Sequence, residues 1–108
     1  MSISGVNEKD WKLFRKRLPD WQEAYMEKLC RQYIRILTED SNPSERFWTL
    51  EERINRDKMD AGVLIEEMSR SKMRMNIIAL LKEGAISLDD LDGFSEEFIE
   101  SVSWACDA

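Results

Sequence analysis

Between Asp20 and Glu39 the apolar residues Tyr25, Met26, Leu29, Cys30, Tyr33, Ile36 and Leu37 recur every three or four positions. At about 100° per residue they form one stripe about 140° wide, the mark of an amphipathic helix. Such a stripe has to be covered by another element. The rest of the chain offers no alternating apolar–polar run and no Asn-Gly or Asp-Gly turn between β-branched segments, so the covering elements are helices too.

Capping signals divide the chain. Asn7, with Asp10 three residues on, starts a first helix whose Trp11, Phe14 and Leu18 share a face. Pro19, which cannot donate a backbone hydrogen bond, is expected to end it. Asp20 and Glu23 then start the second helix, which runs to about Glu39. Asn42, Pro43 and Glu45 mark the start of the third. It carries Phe47, Leu50 and Ile54 on a narrow stripe, with Trp48 pointing elsewhere, and ends near 58–62, where Gly62 permits a turn. A fourth helix is expected from Val63 to Glu83. In its second half Met73, Met75, Ile77, Ile78, Leu80 and Leu81 surround the axis, as in a helix buried on more than one side. Gly84 supplies a left-handed end. Ser87 and Ser95 each follow an apolar residue and each precede another four positions on (Ile86 with Leu91, Phe94 with Ile99). These patterns predict a connector helix over about 88–92 and a last helix from 96 to about 103.

The expectation is an all-α, single-domain bundle of about five helices plus a short connector, spanning residues 1–108. Helices 20–39, 43–58 and 63–83 would supply most of the core, and the acidic pair 87–104 would close one end.

Charge separates that end from the rest. Seven of the 22 acids and none of the 16 bases lie after residue 84, so that segment carries −7 and the remainder +1. Asymmetry of this kind marks a candidate interaction surface. No stretch approaches the roughly 20 apolar residues of a membrane span, and the first dozen residues lack the basic-then-apolar pattern of a leader. A cytoplasmic location is the expectation. Cys30 and Cys106 lack metal-ligand spacing; Cys30 reads as a small core hydrophobe and Cys106 as a tail residue, both free thiols.

The chain has no histidine, hence neither the commonest general base nor the commonest transition-metal ligand. Its adjacent carboxylates, Glu51/Glu52 and Glu66/Glu67, do not face each other on a helix. No Walker loop, dinucleotide-binding turn or nucleophile elbow occurs. The reading is a non-enzymatic chain with no cofactor, no metal and no evident small-molecule ligand. Lys9, Lys12, Lys16, Arg70 and Arg74 would be the contacts of a nucleic-acid-associated regulator, but interleaved acids and the net charge of −6 weigh against one.

A protein–protein interaction module is the favoured function, with a second copy of the chain or another protein as partner. Its candidate contacts fall into three groups. Trp48 and Trp104 lie off their helices' stripes, and Trp is enriched at interface hot spots. Met73, Ile77 and Leu81 belong to the all-round apolar segment, which is either a central core helix or a homodimer seam. Asp89, Asp90, Glu96, Glu97 and Glu100 form the acidic end, which would suit a basic groove on a partner.

The stretch "LLKEGAISLDDLDGF" resembles short C-terminal helical modules of bacterial proteins, in which a Leu-rich helix is followed by Gly, Ile-Ser/Thr and an acidic helix with an apolar anchor. Leu80, Leu81, Gly84, Ile86, Ser87 and Leu91 match that pattern. Those modules end with Lys before a Leu pair, whereas this chain continues "SEEFIESV". As a whole the chain is similar to small bacterial all-helical proteins of unknown function, which implies a helical fold and no particular activity.

Overall fold

A computed structural model describes residues 7–107. The first six residues, part of the segment read above as lacking a leader pattern, lie outside that range. The described residues form four α-helices and two 3-10 turns, with no strand among them: α1 (Glu8–Leu37), a turn at Arg70–Lys72, α3 (Met73–Lys82), a turn at Leu88–Leu91 and α4 (Glu96–Asp107), with α2 (Pro43–Asp57) following α1.

α1 corrects the expected break at Pro19, which lies inside a continuous 30-residue helix. Its start is as expected: the Asn7 side-chain oxygen accepts from the backbone N–H groups of Lys9 (2.8 Å) and Asp10 (3.4 Å). The helix continues because burial continues. Trp11, Phe14 and Leu18 and then Tyr25, Leu29 and Ile36 are all buried, and at about 100° per residue these six fall within one stripe about 60° wide. Pro19 stands off that stripe. Both it and Arg15, whose carbonyl loses its helical partner, are exposed, so water is available to that carbonyl.

α2 begins at Pro43 in the first helical position, with Asn42 extended before it, but Asn42 makes no side-chain capping bond. The expected fourth helix is shorter than 63–83. Residues 58–69 form turns and extended chain, and the α-helix starts at Met73. Glu83 fixes this loop by accepting from the backbone N–H groups of Ala61 (3.0 Å) and Gly62 (3.1 Å). The Tyr25 hydroxyl donates to Asp60 (2.6 Å), and the Gln22 amide donates to the Ala61 carbonyl (3.0 Å). These bonds hold 60–62 in a turn, and Ser69, in extended conformation, is a residue type that disfavours helix interiors.

The core is also placed differently. Trp11, Phe14 and Leu18 of α1 meet Met73, Ile77 and Leu80 of α3, Ile86, Leu91 and Phe94 of the connecting segment, and Val102 of α4. Aromatic rings link α1 to α4 in sequence: Trp11 to Phe14 at 6.1 Å between centroids, Phe14 to Trp21 at 6.2 Å, Trp21 to Phe94 at 6.4 Å and Phe94 to Phe98 at 5.6 Å. α2, expected to be a main contributor, buries only Asp57.

The result is elongated, 59 × 25 × 23 Å with a radius of gyration of 16.7 Å, against about 13 Å for a compact chain of this length. The N-terminal half of α1 lies in the core body. Its C-terminal half and α2 form a two-helix arm, joined by the short loop 38–42.

Candidate functional site

The arm is held together by a polar seam. Tyr33 donates its hydroxyl proton to Asp57 (2.7 Å). Arg53 donates to Gln32 (2.6 Å), pairs with Asp57 (3.4 Å) and lies 5.8 Å from the Tyr33 ring centroid. Arg46 donates to the carbonyl of Leu37 (3.3 Å). Rising positions on α1 pair with falling positions on α2, so the helices are antiparallel. Burial, with the Asp57 carboxylate second, pushes the Tyr33 hydroxyl up to about 12. Burial and the Asp60 bond raise Tyr25 as well.

Polar residues share the seam with the buried Leu29 and Ile36, and other apolar side chains are left outside it. On α2 the side chains that meet α1 (Arg46, Arg53 and Asp57) centre about 90° from Phe47 and Ile54, counted around the helix. On α1, Met26, Cys30 and Leu37 centre about 100° from the buried stripe. Antiparallel helices wind in opposite senses when viewed along one direction, and the two offsets turn to the same side. One open face therefore carries Met26, Cys30 and Leu37 from α1 with Phe47 and Ile54 from α2. Phe47 is 61% exposed, Leu37 47% and Ile54 41%. Trp48, 62% exposed, meets the Phe47 ring edge-on at 5.0 Å from the adjoining outer flank of α2. Ile34, also exposed, borders it.

The candidate contacts read from sequence separate into three fates. Trp48 is exposed on the arm, and Trp104 is exposed on α4 at the other end of the molecule. Met73 and Ile77 are buried within one chain and Leu81 is half-buried against the same core. Most of the all-round apolar segment is thus intrachain core, packed against α1, the connecting segment and α4, while Met75 is 61% exposed. Asp89, Asp90, Glu96, Glu97 and Glu100 are all exposed. Among the described residues none of them enters an ion pair. The base nearest that segment binds its backbone instead. Arg17 of α1 donates to the carbonyls of Asp90 (3.0 Å) and Asp92 (2.5 Å) and lies 5.6 Å from the Phe94 ring centroid.

Phe47, Ile54 and Cys30, all expected in the core, are exposed instead, and Ile34 stands out only in the structure. The signal that separates them is the row of ionic residues Arg46, Arg53 and Asp57 on the adjacent flank of α2, opposite Gln32 and Tyr33.

A cleft of about 550 Å³ lies between the start of α1, residues 70–74 and α4. Its charged groups have partners within the chain. Arg70 donates to Glu8 at 2.6 and 3.2 Å, Arg74 donates to the Ser101 carbonyl at 3.1 Å, and Asp10 accepts from Ser95. The Arg70 hydrogen bond lowers the Glu8 carboxyl below its ordinary range. Among the described residues no three His, Cys, Asp or Glu side chains are placed to hold a metal ion, and no helix is long and apolar enough to cross a membrane.

The fold and this surface define an all-helical protein with a projecting, apolar-faced helical hairpin. The sequence matches no family model, no curated protein and no solved structure.

Proposed function

We propose that this chain is a non-enzymatic protein-interaction module whose contact surface is the α1–α2 arm. The observation that carries the reading is the exposed Phe47–Trp48 pair, whose Phe47 shares with Leu37 and Ile54 a face that the fold leaves uncovered. Clustered exposed apolar side chains mark binding surfaces, and aromatic anchors dominate their energetics. A helical face of this kind recognises other helices. The nucleic-acid alternative is weakened by the pairing of Arg70 with Glu8 and of Arg74 with Ser101.

The test is capture from the native host by the immobilised chain, in three forms: unmodified, Phe47→Glu/Trp48→Glu, and with Asp89, Asp90, Glu96 and Glu97 reversed to Lys. Specific capture by the first and third forms, lost in the second, is the expected result. Capture that survives the arm substitutions and disappears on charge reversal would transfer the function to the acidic end.

A further inference from the structure

The arm carries the spacing of a helical-bundle seam on both of its helices. On α1, Met26, Cys30 and Leu37 follow one another at intervals of four and seven; on α2, Phe47 and Ile54 lie seven apart. Intervals of four and seven keep side chains along one line of a helix that packs nearly parallel to its neighbours. Two such lines on one side of an antiparallel hairpin are half of a four-helix bundle. The missing half is another hairpin with the same face.

We propose that the occupant of the arm is a second copy of this chain, the two hairpins closing face to face, antiparallel, into a four-helix bundle. The proposal rests on the arm being the contact surface, as argued above, and names what covers it. Charge supports self-pairing. Residues 23–58 hold eight acids and seven bases, so the arm carries −1 while the whole chain carries −6, and two arms approach with little net repulsion. The same balance sets the direction. Antiparallel closure places the two core bodies, each with its −7 segment, at opposite ends of the assembly, whereas parallel closure would set them side by side. Size is adequate too. An arm face about 22 Å long and two helix diameters wide projects roughly 450 Å², and interdigitated side chains bury more than the projection, approaching the ~800 Å² per partner of a standard interface.

The exposed thiol of Cys30 lies on this face near mid-arm, and Cys106 lies on α4, so each reports on a different end of the molecule. The purified chain is examined by light scattering at micromolar concentration and by timed alkylation of both thiols, beside the Phe47→Glu/Ile54→Glu variant. Both substituted residues are exposed within one chain, and circular dichroism checks that the variant keeps its helices. Expected are a mass of two chains for the unmodified protein, one chain for the variant, and alkylation of Cys30 at least about tenfold slower in the dimer, with Cys106 unchanged. A monomeric unmodified chain overturns the proposal, as does a dimer that persists in the variant with Cys30 unprotected. A monomer whose capture of host proteins still depends on Phe47 and Trp48 overturns the self-pairing alone. A monomer with arm-independent capture removes the arm reading as well.

Discussion

The Asp10 carboxylate, in the first turn of α1, holds both donors of Ser95, 85 residues further along the chain. Its two oxygens accept from the Ser95 backbone N–H at 2.8 Å and from the Ser95 hydroxyl at 2.6 Å, and only 1% of Asp10 is exposed. The Ser95 hydroxyl oxygen in turn accepts from the Phe98 N–H at 3.3 Å. The cap of α4 is therefore anchored by α1, and one carboxylate serves the positive ends of two helices.

Asp10→Ala leaves both donors of Ser95 without an acceptor in a closed site. The expected loss is about 2–3 kcal/mol of unfolding free energy in a urea titration. Asp10→Asn keeps an acceptor and should fall between the two. A change within about 0.5 kcal/mol for the alanine variant would show that the contact contributes little.

The two tyrosines should titrate abnormally. The chain has no others, so tyrosinate absorbance reads Tyr25 and Tyr33 alone. Burial and the neighbouring carboxylates lift Tyr33 from 10.0 to about 12, and Tyr25 is raised too. The folded state then keeps protons that the unfolded state releases above pH ~10, so stability falls as pH rises from ~10 towards ~12 and is unaffected below that window. Tyrosinate appearing with an ordinary midpoint in the folded protein would contradict the seam geometry.

Pro19→Ala is expected to stabilise the protein. The substitution restores the backbone donor to the Arg15 carbonyl and removes no packing, since Pro19 is exposed. The interior proline penalty of about 3 kcal/mol is partly offset by the freedom that proline removes from the unfolded chain, which leaves a net gain of about 1–2 kcal/mol by thermal or urea melting. A loss would mean that a bend at Pro19 is needed to set the arm against the body.

Gly62→Ala should destabilise. A Cβ at Gly62 would run into the Tyr25 ring, and that ring is held in place by its bond to Asp60. Displacing it is expected to cost about 1–3 kcal/mol and to return the Tyr25 titration towards the ordinary range. Unchanged stability together with an unchanged Tyr25 titration would place the ring elsewhere.

Elements governed by neighbours within four residues were readable in advance. Asn7 and Asn42-Pro43 start helices, Gly84 takes the positive φ of 77° that its turn requires, and Ile86 and Phe94 are buried ahead of Ser87 and Ser95. In each case the energetics involve backbone groups a turn away, so a local rule suffices. Pro19 shows the limit of such a rule. The proline penalty is local, but the stripe from Trp11 to Ile36 runs in phase across it, and burial along 30 residues outweighs one missing bond.

The candidate site depended on pairings the linear chain does not display. Nothing near Asp10 points to Ser95. The apolar stripe of α2 predicted burial for Phe47 and Ile54, yet Tyr33 and Gln32 of α1 offered better partners to Asp57 and Arg53 and turned that stripe outward. Which face a helix buries is a competition among all surfaces brought together by folding, and the outcome here was set by a polar seam that pairs Asp57 with Tyr33 and Arg53 and leaves Leu37, Phe47 and Ile54 of the arm in the open.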